Sequence, residues 1–226
     1  MDNGTRRELL DHLAEAIMSV SDAHPARIAI DGPDAAGKTT LADELATVVH
    51  ARGRQVIRAS IDGFHRPRAQ RYQRGEFSAE GCYHDTFDHG ALRRVLLDPL
   101  GPHGDRSYQS AVFDYHTDTA VSSPPTTAAK DAVLLFDGVF LLRPELIDRW
   151  DLRIFVSAAF EETLSRARAR DLPLFGSAAE VERRYRDRYI PAQQLYFAAA
   201  RPIDHADVIV YNDDPQRPAW EDKPYA

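Results

Sequence analysis

Gly32-Pro33-Asp34-Ala35-Ala36-Gly37-Lys38-Thr39 satisfies the pattern G-x-x-x-x-G-K-[ST], and no other feature constrains this chain as strongly. It lies between a short apolar run, Arg27-Ile28-Ala29-Ile30, and a helical pattern carrying Leu41, Leu45, Val48 and Val49 on one face. That strand-loop-helix setting separates a working phosphate loop from a chance glycine turn. Glycines let successive backbone N–H groups turn inward, and the amino end of the following helix adds partial positive charge, so the loop suits the phosphates of a nucleotide. The expected nucleotide-binding stretch is Gly32, Pro33, Asp34, Ala35, Ala36, Gly37, Lys38, Thr39 and Thr40, with Lys38 on the β- and γ-phosphates and the Thr39 hydroxyl on Mg²⁺.

The rest of the chain repeats the alternation. Gly53 ends the first long helical pattern, and Gln55–Ile61 reads as a strand closed by Asp62-Gly63. Further strands are expected at Val133–Phe136, Leu152–Val156 and Val208–Tyr211. Helical patterns run from Thr5, where Thr5 and Glu8 have capping-box spacing and Leu9, Leu13, Ile17 and Val20 share a face, then over Phe160–Arg170 and from Ala178 to about Ala199 with a bend at Pro191. The expectation is an α/β fold, a parallel sheet covered by helices on both faces, with ligands at the carboxyl ends of its strands. One domain is expected over residues 1–226, with substrate-side loops at 66–82 and 98–130, a lid at 166–188 and a polar tail without assigned role at 212–226.

Composition removes other classes. A 43% hydrophobic share supports a buried core, and a net charge of −7 argues against a nucleic-acid partner. Cys82 is the single cysteine, so no internal disulfide forms, and neither a membrane span nor a signal segment is visible; a soluble, cytoplasmic protein is expected. His65, His84, His89, His103 and His116 are scattered over loops without ligand-like spacing, which points away from a transition-metal site. The arginines between Arg66 and Arg74 read either as a contact for an anionic acceptor or as solvated surface.

Two carboxylates stand at strand ends. Asp137 closes Val133-Leu134-Leu135-Phe136 and precedes Gly138, the position from which a carboxylate can hold the Mg²⁺ shell, or else an ordinary acidic turn. Asp62 is suited to orient an acceptor hydroxyl and take its proton. The chain has neither the Asn-Lys-x-Asp of a guanine-reading switch nor the Ser-Gly-Gly signature of a transporter ATPase, which leaves a small-molecule kinase.

At these residues the chain resembles the uridine kinase, phosphoribulokinase and bacterial pantothenate kinase group. The segments carrying the resemblance are IAIDGPDAAGKTTLADELA, SIDGFHRP, YHDTFDHGAL, VFDYHTD, LLFDGVFLL, DLRIFVSAAFEETLSRARARD and HADVIVYN, in family order over nearly the whole chain. The resemblance implies a P-loop NTPase fold with lid and substrate-loop insertions, ATP and Mg²⁺ as cofactors, and transfer of the γ-phosphoryl to a hydroxyl. By the same resemblance Asp62 is the base of a D-x-F-[YH] motif that includes His65, Arg170 is a lid arginine, and Tyr83, His84, Phe113 and Tyr115 lie toward the acceptor. Asp137 stands where the family has Glu. Asp118 occupies the position of a base-reading His unless His116 takes over, Ala167 replaces an Arg that approaches the nucleoside, and Leu172–Gly176 replaces an Arg-Gly-Arg lid segment. Arg166 and Arg168 are either transition-state cations or a solvated face. A nucleoside is the first expected acceptor. Pantothenate, a sugar phosphate, or a nucleotide-binding regulatory protein without chemistry are the alternatives, and the oligomeric state is open, a homodimer included.

Overall fold

The computed structural model describes residues 2–20 and 23–223. Strand β1 (Asp2–Asn3) leads into helix α1 (Arg6–Ser19), where the Thr5 side chain accepts from the Glu8 N–H and the Glu8 carboxylate accepts from the Thr5 N–H, the capping box anticipated from sequence. Strand β2 (Ala26–Asp31), the phosphate loop and helix α2 (Lys38–Ala51) follow, then strand β3 (Val56–Ser60). Helices α3 (Arg68–Arg71), α4 (Ala79–Asp85) and α5 (His89–Leu92) precede strand β4 (Val133–Gly138). The chain continues through β5 (Leu152–Ser157), α6 (Phe160–Arg170), α7 (Leu172–Phe175), α8 (Ala178–Arg184), α9 (Ile190–Ala200), β6 (Val208–Tyr211) and β7 (Ala219–Asp222).

The main sheet has the order β1-β7-β6-β5-β2-β4-β3. Its five strands from β6 to β3 are parallel, and β7 and β1 extend it antiparallel. Residues of β2, β4 and β5 alternate between two cores: Ala29, Leu134, Phe136 and Phe155 point to the side of α4 and α9, while Ile28, Ile30, Val133, Leu135, Ile154 and Val156 point to the side of α1 and α2. Both faces are therefore covered, which is why these strands read as unbroken apolar runs.

Three expectations need correction. The segment 212–226, read as a polar tail, contributes β7 to the sheet, with Trp220 only 7% exposed. Its Glu221 and Asp222 hid the strand, since charged residues are tolerated along a sheet border. The segment 66–82 is not a continuous loop: it contains α3 and the start of α4, and 98–130 holds two short antiparallel pairings, Ser107–Tyr108 with Thr126–Thr127 and Phe113–Asp114 with Thr119–Ala120. The bend expected at Pro191 takes the form of a π-turn over Tyr185–Tyr189 just before it. Pro191 has no N–H to donate and its ring crowds the carbonyl one turn upstream, and a wider turn relieves both.

Candidate active site

The sheet register brings the loop and both carboxylates to one edge. Asp137 is the partner of Ile30 on one side and of Ser60 on the other. The phosphate loop leaving β2 and the short helical turn Ile61–Phe64 leaving β3 thus flank Asp137, and Asp62 lies on that turn. They open into a cleft of about 630 Å³ whose walls include Asp34, Lys38, Thr39, Asp62, His65, Tyr115, Asp137 and Arg170.

The loop is held from behind. A Cβ on Gly32, whose φ is +149°, would sit 2.2 Å from the Val156 carbonyl oxygen, and one on Gly37, at φ +95°, would sit 2.6 Å from Asn212 Nδ2. Neither position admits a side chain. Asn212 Nδ2 donates to the Ala36 carbonyl at 2.7 Å, and Arg166 donates to the carbonyls of Asn212 at 2.7 Å and Asp213 at 2.8 Å. Arg166 is accordingly a brace between the lid and the base of the loop. Arg168 pairs with Glu182 at 2.6 Å on the surface.

Lys38 is 8% exposed and donates from Nζ to the Pro33 carbonyl at 2.6 Å; burial lowers its pKa, against the pull of Asp34, Asp31 and Asp137. Thr39 Oγ1 donates to Asp137 Oδ2 at 2.6 Å. The other carboxylate oxygen of Asp137 accepts from Arg58 at 2.9 Å, and Arg58 also reaches Asp43 on α2 at 2.9 Å. Among the described residues no group of three or more His, Cys, Asp and Glu side chains gathers that could hold a metal. Thr39 and Asp137 are instead a partial set of hard oxygen donors. This fits Mg²⁺, which completes its shell with nucleotide phosphates and water.

The Asp62 N–H donates to Ser60 Oγ at 3.3 Å, which fixes the turn, and its carboxylate opens onto the cleft. Although the side chain is 54% exposed, its enclosure by the cleft walls, followed by repulsion from Asp34 and Asp137, raises its pKa to about 6. His65 stacks on Tyr115 at 5.0 Å and meets the edge of Phe87 at 4.7 Å, forming an aromatic wall beside Asp62. Burial pushes the His65 ring down to about 4, so it is neutral near pH 7. Arg170 donates to Asp171 at 2.6 and 3.0 Å and to the Tyr185 hydroxyl at 3.1 Å, which aims it from the lid. The lid rests on the loop through a small apolar cluster of Ala35, Leu164, Ala167, Val181 and Tyr185.

Outside the 32–38 loop, five candidate residues do not reach the cleft wall. Tyr83 is buried against Phe140 and under the Arg143 guanidinium, and His84 is exposed beside it. Phe113 is buried in its short strand, and Asp118 caps the start of α3 by accepting from the Arg68 N–H at 2.9 Å and from Arg71 at 2.9 Å. Thr40 lies on the exposed side of α2, outside the wall. The cleft gains residues the motifs did not single out, chiefly Tyr72, Arg184, Arg188 and Tyr189. Arg188, seven residues after Val181 and three after Tyr185, lies on the inward face they share and is buried, whereas Arg186 is exposed.

No protein-family model matches the chain. It is 28% identical over 190 residues to uridine-cytidine kinase B of Dictyostelium discoideum, spanning 83% of this chain and 74% of that protein. It is 25% identical over 188 residues to the uridine kinase of Chlamydia pneumoniae, spanning 82% and 81%. A solved structure of a possible uridine kinase from Bacillus stearothermophilus superposes with a TM-score of 0.70 at 24% identity, over 90% of this chain and 97% of that one. The chain has the uridine kinase-like P-loop kinase fold. Within that fold the cleft occupies the expected place, at the carboxyl ends of the parallel strands β2, β3 and β4.

Proposed function

We propose that the chain is an ATP-dependent phosphotransferase that moves the γ-phosphoryl to a hydroxyl of a small metabolite, with a nucleoside as the acceptor to which its relatives point. The observation carrying this reading is the presence of Lys38, Thr39, Asp62, Asp137 and Arg170 on one cleft. In this reading Gly32 to Thr40 bind the nucleotide phosphates, with Lys38 meeting charge on the β- and γ-oxygens. Thr39 and Asp137 would hold Mg²⁺, which supplies charge neutralisation at the transferring group. Asp62 accepts the acceptor's hydroxyl proton as the new oxygen–phosphorus bond forms and the bond to the departing ADP oxygen breaks. Arg170 leans on the transferring group from the lid, and the His65–Tyr115 wall offers a flat surface for an acceptor ring.

Asp62→Asn tests the assignment. It is expected to lower kcat by about 10²-fold or more, the usual contribution of a positioned base, and to leave ATP binding within about 2-fold. Turnover of that variant at the wild-type rate would remove Asp62 from the chemistry. ADP release that no nucleoside, vitamin or sugar phosphate raises above the ATP-only background would count against transfer altogether.

A further inference from the structure

Arg188 is 3% exposed, yet it forms no ion pair among the described residues. One of its terminal nitrogens donates to the carbonyls of Glu76 at 2.7 Å and Ser78 at 3.3 Å, the guanidinium also hydrogen-bonds the Cys82 side chain, and it lies over the Tyr72 ring at 4.9 Å. The nearby carboxylates are engaged elsewhere: Glu76 pairs with Arg184 at 2.7 Å, and Glu180 with Arg184 at 2.9 Å. Arg71 faces the same space. It is 11% exposed and spends a terminal nitrogen on Asp118 at 2.9 Å, while its Nε is buried without a partner. Both arginines line the cleft with Asp62, and both bear electrostatically on His65, three residues after Asp62.

A guanidinium stays charged when desolvated, and an unpaired one is unfavourable unless an anion meets it. Its planar fork suits the paired oxygens of a phosphate or carboxylate. Its structural partners, the Glu76 and Ser78 carbonyls and the Cys82 side chain, are all neutral, so the charge of a guanidinium that lines the cleft is left without a counter-anion.

We propose that Arg71 and Arg188 form an oxyanion subsite in the acceptor half of the cleft, so that the acceptor carries a phosphate or carboxylate as well as the hydroxyl that is phosphorylated. This rests on the phosphotransferase reading and replaces its uncharged nucleoside with a nucleoside phosphate, a sugar phosphate or a hydroxy acid. The subsite is separate from the phosphate loop, which holds the donor.

The test measures ADP release with uridine and cytidine, their monophosphates, sugar phosphates and hydroxy acids, using wild type, Arg188→Lys and Arg188→Met. At least one anionic acceptor is expected to exceed every uncharged one in kcat/KM by about 10- to 100-fold, the value of a charge-assisted hydrogen-bonded pair. Phosphates and hydroxy acids in the panel distinguish the two sources of the anion. Arg188→Met is expected to erase that preference mainly through KM, and Arg188→Lys to restore part of it. A preference for uncharged nucleosides, or an equal loss on charged and uncharged acceptors in Arg188→Met, would overturn the proposal while leaving the kinase reading intact. Absence of any stimulated ADP release would instead remove the kinase reading. Binding of inorganic phosphate, with the donor side saturated by a non-hydrolysable ATP analogue and Mg²⁺, then decides the subsite alone: binding lost in Arg188→Met supports it, and no binding to wild type overturns it.

Discussion

Asp137, the proposed Mg²⁺ residue, has a short side chain, and Arg58 sets where its carboxylate points. Arg58 stands on the α2 side of border strand β3 and donates to Asp137, Asp43 and the Leu135 carbonyl, at 2.9, 2.9 and 2.7 Å. Two effects compete. The arginine charge offsets the carboxylate and weakens its pull on a cation, whereas the fixed geometry removes the entropy of orienting it. Outer partners of metal ligands usually favour binding when present, so Arg58→Met is expected to raise the Mg²⁺ concentration needed for half-maximal activity by about 10-fold. Tighter Mg²⁺ dependence in a titration at saturating ATP would show that the charge effect wins. Asp62 gives a second residue-level expectation. As the proposed base it works ionised, and a pKa raised from 3.8 to about 6 keeps it protonated in acid, so activity should be lost as pH falls. The kcat/KM profile should bend near pH 6 and drop about tenfold per unit below it. A bend near pH 4 would mean the free enzyme does not raise this group.

The lid, α6 to α8, is held to the phosphate loop by a cluster of only five buried residues, with Val181 fully buried among them. So small a core has little reserve. Val181→Ala removes buried methyl groups and is expected to cost about 1–2 kcal/mol locally. Because Arg170 is carried by this element, the loss should appear as a several-fold fall in kcat/KM with little change in the global melting temperature. A lowered melting temperature with unchanged activity per folded molecule would show that the lid and sheet unfold together. These elements also mark how far the sequence could be read. Strands β2 to β6 follow from apolar runs bounded by turns, and the loop, Asp62 and Asp137 follow from motifs whose mechanism dictates residue and place. The opposite wall of the cleft does not follow: the spacing of Val181, Tyr185 and Arg188 gives an inward face without saying what it meets, and the capping of α3 by Asp118 leaves no pattern in the chain.

At the scale of the molecule, the overall charge of −7 does not extend to the cleft, where Lys38, Arg68, Arg71, Arg170, Arg184 and Arg188 offset the carboxylates of Asp34, Asp62, Asp137, Asp171 and Glu180. The polar C-terminal stretch closes the sheet through one residue. Trp220 sits opposite Val210 on one side and Asp2 on the other, packs into the core beneath α1 and α2, and lies so close to Gly4 that a Cβ there would come within 2.7 Å of its ring. Trp220→Ala is expected to cost about 3–5 kcal/mol, as large aromatic deletions from a core do. At roughly 2–4 °C per kcal/mol for a chain of this size, the melting temperature should fall by roughly 10 °C. The nucleotide site adjoins this border through Asn212, which follows β6 and donates to the Ala36 carbonyl. Yet the Asn212 N–H also donates to the Ser157 carbonyl of β5 at 2.8 Å, and Arg166 holds its carbonyl, so its position does not depend on β7. ATP affinity measured below the melting range should therefore change by less than about 3-fold, under 1 kcal/mol. An unchanged melting temperature would show that β7 lies on the sheet without supporting it, and a large loss of ATP affinity would show that β7 positions the phosphate loop.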